Sequence, residues 1–280
     1  MHRAAVALAA LALLALAACS ALPAGSRSPS PSGSASPSSS PGPIGPAFGD
    51  VAPRESVTDE IGTYLHITLA PTSAAATQVA PETVGSSIAG SSWDDEALLD
   101  AQRFVATFVA EQTLDSIALD RDMLGWQQWL TDVAPRYWGV PDEGALIKND
   151  NGADRPTPIY NDPDDFTPRL VRDGLPRMDD ATITIDSLEN LPREGGEWLE
   201  VTGTSDVAYR LNDAEARAAL LQQGFDQETV NGFPALTDDE DGHYLVHLEW
   251  TYAVERIADG WIIRDYDLIW DANIEGISQA

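Results

Sequence analysis

The chain has one cysteine, Cys19, and one lysine, Lys148, among its 280 residues. A single cysteine excludes an intrachain disulfide and any zinc site assembled from cysteines. Sixteen basic residues stand against 45 acidic ones, for a formal charge of −29 and a pI near 4.1. Phosphate backbones are held by clustered Lys and Arg, so this balance argues against nucleic acid as a partner. The lack of any basic run argues equally against electrostatic docking on anionic lipid. No Gly-x-Ser-x-Gly elbow, phosphate-binding loop or dinucleotide fingerprint occurs. What the chain does have is 43% hydrophobic residues and eight tryptophans. That is enough to build a core in one large domain or two small ones.

The N-terminus reads Met1-His2-Arg3, followed from Ala4 to Ala18 by Ala, Val and Leu alone. A short charged end ahead of an apolar run of this length reads as a secretory signal, too short for a transmembrane helix. The run closes on Leu16-Ala17-Ala18-Cys19, which resembles the lipobox of bacterial lipoproteins. The resemblance implies alkylation of the Cys19 thiol with diacylglycerol, cleavage just before it, and a protein held by acyl chains on the extracytoplasmic face of the cell membrane. The alternative is an ordinary Ala-x-Ala signal with a chance cysteine. Residues 20–46 then hold ten Ser, seven Pro and four Gly. Such a segment has almost nothing apolar to bury and reads as a disordered tether. The expected organisation is a signal peptide over 1–18, a lipidated cysteine and linker over 19–53, and one α+β domain over 54–280.

Within the domain, Ile61, Thr63, Leu65, Ile67 and Leu69 share one parity of a strand, and residues 70–92 read as a loop. A helix follows, with Ser92 as candidate cap and a buried stripe of Ala97, Ala101, Phe104 and Phe108 joined by Leu98, Val105 and Val109. A second helix is expected over residues 122–134, ended by Pro135, with Trp126, Trp129, Leu130 and Val133 on its apolar face. Residues 139–180 form a long Pro/Asp/Gly-rich insertion, expected to pack as a lid through Ile159, Tyr160, Phe166 and Leu170. The pattern then changes to a period of two. Ile183 and Ile185 precede a turn at Glu194-Gly195-Gly196, after which Leu199, Val201, Gly203, Ser205, Val207 and Tyr209 point inward. Asn212 and Glu215 mark a third helix. Tyr244, Val246, Leu248, Trp250, Tyr252 and Val254 form the apolar face of a last hairpin. A three-residue loop, Ala258-Asp259-Gly260, would pair Tyr252 with Tyr266 and Trp250 with Leu268. Trp261, directly after that glycine, is expected in the core.

Three stretches together resemble the NTF2-like (cystatin-like) α+β cone, in which N-terminal helices pack on a curved antiparallel sheet. They are Ala101-x-x-Phe104-Val105-x-x-Phe108, Trp126-x-x-Trp129-Leu130-x-x-Val133-Ala134-Pro135 and Asp259-Gly260-Trp261-Ile262-Ile263-x-x-Tyr266. Cell-envelope lipoproteins of actinobacteria commonly carry such domains. The resemblance implies a cone whose pocket would be lined by Tyr209, Tyr244, Trp250, Tyr252 and Tyr266, and whose role is to bind an envelope protein or a small apolar ligand. Some members of the family are instead isomerases or cyclases with an Asp general base in an apolar pocket. That chemistry needs an inward carboxylate beside a hydrogen-bond donor. The inward parity of the strands over 199–211 and 244–254 carries neither carboxylate nor histidine, so no catalytic residue is assigned. The remaining alternative is a purely structural envelope spacer.

No cofactor or metal is expected. His243 and His247 would lie about 13 Å apart along a strand, too far to share one ion. Asp238-Asp239-Glu240-Asp241-Gly242 offers Leu248 at the closing position of a calcium loop and reads as a solvated acidic turn. Asn149-Asp150-Asn151-Gly152 and Asp162-Pro163-Asp164-Asp165 read the same way.

Overall fold

The computed structural model describes residues 42–58, 62–116, 129–138, 146–148, 154–156, 173–210, 214, 217, 218, 221, 226–232 and 243–272. The signal sequence, Cys19 and the tether up to residue 41 lie outside them, as do Trp126, Asn212 and the apolar anchors of the insertion.

The described residues form an α+β fold. Its first ladder begins at residue 51, three residues before the domain start expected from the sequence. Strand β1 (Val51–Thr58) pairs antiparallel with β2 (Thr63–Leu69) in a two-stranded sheet. Alternation predicted one buried face for β2, yet His66, Ile67, Thr68 and Leu69 are all buried. This strand is covered on both sides. The expected loop after it is more ordered than its Ala/Ser/Thr/Pro composition suggested. Ser73 caps a single helical turn, α1 (Ala74–Thr77), by accepting from the Ala75 N–H, and 3₁₀ turns follow at Pro81–Thr83 and Ser86–Ile88.

Helix α2 (Asp95–Phe108) carries the expected apolar stripe, with Ala97, Leu98, Ala101, Val105 and Phe108 buried. Its cap is Asp94, not Ser92: the Asp94 carboxylate accepts from the Ala97 N–H at 2.8 Å. With Asp95 and Glu96 it sets negative charge against the positive end of the helix dipole. Ser92 is engaged elsewhere, its N–H and hydroxyl both donating to Glu197. That pair of donors, the hydroxyl first, holds the exposed Glu197 carboxyl below the usual range. The helix does not stop at Phe108 but runs on through a π-helical turn, Val109–Thr113, and every residue from 109 to 116 is buried.

Pro135 does not end the next helix. A π-helical turn, Trp129–Val133, leads into α3 (Ala134–Trp138), with Pro135 at its second position. Proline lacks the N–H that a regular helix needs and clashes with the carbonyl four residues back. The wider π turn removes that demand. Within the insertion, β3 (Leu146–Lys148) and β4 (Asp154–Pro156) pair antiparallel, so this Pro/Asp/Gly-rich segment holds a short ladder.

Four long strands make the main sheet, in the order β5 (Met178–Arg193), β6 (Gly196–Arg210), β7 (His243–Ile257) and β8 (Gly260–Ala272), all antiparallel. A two-residue turn joins β5 to β6, with Gly195 at φ +99°. Between β6 and β7, Ala214, Arg217, Ala218 and Leu221 are helical, and α4 (Gln227–Gly232) follows. The inward parity of β6 and β7 is as predicted. Leu199, Val201, Tyr209, Val246, Leu248, Trp250, Tyr252 and Val254 are all buried, in one core with α2. Each such apolar side chain contributes about 1.5–3 kcal/mol relative to exposure.

The β7–β8 hairpin keeps its predicted far register by a different route. Tyr252 opposes Tyr266 and Trp250 opposes Leu268, as face matching required. Near the turn, however, Ile257 pairs with Gly260, leaving a two-residue loop. A bulge between Ala253 and Val254 on one strand, opposite Arg264, restores the register. The expectation for Trp261 also changes. It is only partly buried, stacked on Trp93 at 5.6 Å between ring centres with the Arg256 guanidinium 6.0 Å from its ring.

One glycine on β6 is set by close approach. A Cβ at Gly203 would collide with the Thr184 carbonyl oxygen on β5 and with the six-membered ring of Trp250 on β7. The indole packs against the backbone there and donates its N–H to the Ser205 hydroxyl at 3.0 Å. Gly203→Ala is therefore expected to destabilise the protein by about 1–3 kcal/mol, the usual range for overpacking, as read by denaturant unfolding.

Candidate functional site

The residues expected to line a pocket are, where their side chains are described, part of the aromatic core. Tyr209, Trp250 and Tyr252 are each 0–1% exposed. The Tyr209 hydroxyl donates to the Leu114 carbonyl at 2.9 Å, and the Tyr252 hydroxyl lies 3.0 Å from the Thr113 hydroxyl. Tyr252 packs edge-on against Phe108 at 5.3 Å, and the half-buried Tyr266 lies 6.3 Å from Tyr252 and 6.4 Å from Trp138. Tyr244 pairs with Tyr209 across the ladder. The structure thus brings these positions together, with the Tyr209 and Tyr252 hydroxyls turned onto the end of the α2 segment.

That segment carries what the sequence reading missed. Glu111, Gln112, Thr113, Asp115 and Ser116 are all buried. Glu111 accepts from the Thr68 hydroxyl at 2.5 Å and from Arg54 Nη1 at 2.8 Å. Gln112 accepts from the Trp129 indole at 2.9 Å. Asp115 is the centre of the junction. Its Oδ2 accepts from the Ile67 N–H at 2.8 Å and from His66 Nδ1 at 3.0 Å, and its Oδ1 lies 3.0 Å from Arg177 Nε. His66, Asp115 and Arg177 are each no more than 2% exposed. Buried charges persist only when paired and hydrogen-bonded, and here two carboxylates meet two guanidiniums and an imidazole.

These residues could have been suspected from the sequence. Glu111 and Asp115 are four apart and follow the mostly apolar run Val105–Ala110, on the helix that carries the buried stripe. His66 and Thr68 occupy the second face of a strand whose first face was assigned to the core. The inward positions of the two long strands do lack carboxylates. The interior acids come from a helix end instead.

A carboxylate that fixes a histidine ring is one half of the arrangement that activates a nucleophile. In this junction the same carboxylate also receives a backbone N–H and faces a guanidinium. That donor set orients and neutralises Asp115, and it joins β2, the α2 end and the entry to β5. No group of three or more His, Cys, Asp or Glu side chains suited to a metal ion occurs among the described residues. His243 and His247 go to different partners, Asp179 at 2.9 Å and Asp206 at 2.7 Å. Beside His243, Arg210 binds Asp173 through two nitrogens and holds its carboxyl below the usual range.

No family model, curated protein or solved structure matches this chain.

Removing the junction's central charge leaves Arg177 buried against a void. Asp115→Ala is expected to cost about 3–5 kcal/mol, against less than about 1 kcal/mol for breaking the exposed Asp173–Arg210 pair with Asp173→Asn. Paired urea melts check the contrast.

The tyrosines set the alkaline limit. Burial raises the Tyr252 pKa well above its ordinary value, outweighing the opposing Thr113 hydrogen bond, and burial with the nearby Asp265 pushes Tyr266 up to about 12. A folded pKa above the unfolded one means full stability below the unfolded value, lost as pH rises past it. Stability is therefore expected to fall above pH about 10, by roughly 1.4 kcal/mol per pH unit for Tyr252 alone. Tyr252→Phe should flatten that slope in melts recorded between pH 9 and about 11.

Proposed function

We propose that this chain is an extracytoplasmic lipoprotein, cut after residue 18, acylated on Cys19 and held at the cell membrane by its acyl chains. The observation that carries the reading is the position of the sole cysteine, at the end of an apolar leader and directly ahead of the Ser/Pro/Gly-rich stretch. No helix among the described residues is long and apolar enough to cross a membrane; in this reading attachment is by lipid. The tether lets the folded domain stand away from the bilayer.

The domain is read as an NTF2-like cone that binds a partner protein or a small apolar ligand without catalysis. A long helix laid on the inner face of a bulged antiparallel sheet supports the likeness. The β1–β2 hairpin ahead of the helices and a main sheet of only four strands are departures from it. The engaged oxygens of the buried acids support the non-catalytic side. A general base of the isomerase kind needs a carboxylate lone pair directed at substrate in an apolar pocket. Both oxygens of Glu111 and Oδ2 of Asp115 accept hydrogen bonds from the protein itself, and Asp115 Oδ1, which accepts none, is held in an ion pair 3.0 Å from Arg177 Nε.

Labelling cells with a fatty-acid analogue tests the anchor. Wild type is expected in the membrane fraction carrying the label. Cys19→Ser should lose it, and be either released or left uncut. Wild type found in membranes without label would refute the lipoprotein reading.

A further inference from the structure

Helix α2 covers one face of the main sheet; the opposite face carries a distinct chemistry. Two paired arginines bound it: Arg210, bridged to Asp173, at one end, and Arg264, bridged to Glu255, at the other. Between them the outward positions of β5 to β8 hold Asp180, Glu200, Asp206, Glu249, Asp265 and Asp267, with no lysine or arginine. Threonines fill much of the rest, Thr202 and Thr251 sharing a hydroxyl contact at 3.2 Å across the β6–β7 ladder. Two large apolar side chains stand out of this face, Leu245 at 41% and Ile269 at 58% exposure. A groove of about 520 Å³ opens beside Leu245, with Ala208 in its lining and Asp180, Asp206 and His247 around it.

We propose that this outward sheet face is a docking surface for a basic, partly apolar segment of a partner protein. The proposal rests on the binding reading above and names the surface and the chemistry of the partner. Charge complementarity selects the occupant. Asp265 and Asp267 stand about 7 Å apart on one strand, and Asp180, Asp206, Glu249 and Asp267 run as successive diagonal neighbours across the four strands, about 7–8 Å apart, within reach of Lys and Arg side chains arriving together. The exposed leucine and isoleucine give such a segment apolar contacts that a purely ionic ligand would not use. A second copy of the chain fits poorly, because a two-fold pairing of this face sets acid against acid on a molecule of formal charge −29. An anionic membrane surface is repelled for the same reason.

Calorimetric titration of the full chain in detergent tests the assignment. The probes are a synthetic peptide of alternating lysine and leucine, and poly-lysine as a charge-only control. The peptide is expected to bind at physiological salt. The double variant Asp206→Lys/Glu249→Lys should weaken it by about tenfold or more, whereas Glu82→Lys/Glu228→Lys, the same change in net charge elsewhere, should alter it by less than about twofold. Leu245→Ser/Ile269→Ser should weaken the peptide several-fold and leave poly-lysine unchanged. Circular dichroism melts confirm folding, and Asp206→Asn/Glu249→Gln replaces any charge reversal that does not fold. Equal loss from both charge reversals would mean attraction to net charge alone, and overturns the proposal. So does absence of peptide binding to the folded wild type, or indifference to the Leu245 and Ile269 changes. None of these failures touches the fatty-acid label on Cys19, so the two readings fail separately.

Discussion

The Asp115 carboxylate joins three pieces of chain that lie far apart in sequence. It holds the backbone and imidazole of β2, sits at the end of the α2 segment, and faces the guanidinium that opens β5. Glu111 ties the β1–β2 hairpin to the helix end through Thr68 and Arg54, and Tyr209 and Tyr252 tie the main sheet to it, but only Asp115 meets all three pieces at one point; apolar packing between them is strong but non-directional. Ionic hydrogen bonds fix distance and angle, so the junction sets where the small sheet sits on the helix end. The cost of burying the charges is offset only while all partners are present, which makes the junction all-or-none.

Two π-helical turns serve the same end of the molecule. Val109–Thr113 carries the helix on past Phe108, through residues that are all buried, and delivers Glu111, Gln112 and Thr113 into the interior. Trp129–Val133 lets the chain pass through Pro135 and places Trp138 against Phe108 and Tyr266. Each polar group so delivered meets an aromatic donor or hydroxyl: Gln112 with the Trp129 indole, Thr113 with Tyr252, and the Leu114 carbonyl with Tyr209. The aromatic core and the polar junction are one structure. Satisfied polar groups inside an apolar shell specify a single packing more sharply than apolar side chains alone. The contrast with the other side of the sheet is chemical: inside, the carboxylates are buried and paired with guanidiniums and an imidazole, while outside most acids face solvent across rows of threonine.

Sequence and structure divide the work along a physical line. Alternation in β6 and β7 was legible because a half-buried strand must place apolar side chains on one face, and a one-residue slip would expose them all. The stripe of α2 was legible for the same reason at a period of 3.6. The far register of the last hairpin followed from face matching, although a bulge at Arg264 rather than a longer loop produced it. Composition alone led to the reading of the leader, the tether and the exclusion of nucleic acid, since those depend on chain chemistry and not on contacts.

Tertiary structure decided the rest. Whether β2 is covered on one face or two depends on what packs against it, and no period within Thr63–Leu69 encodes that. Whether Glu111 and Asp115 are surface acids or buried ones depends on Arg54, His66 and Arg177, residues 49–62 positions away in sequence that only the fold brings within 3.0 Å. Trp261 looked like core by its place after the turn, yet it is only partly buried at the core's edge, and the neighbours that cover it, Trp93 and Arg256, come from a loop and the facing strand. Periodicity reports the local geometry of a segment; burial of a charge is a property of its partners, and partners far apart in the chain are chosen by the fold.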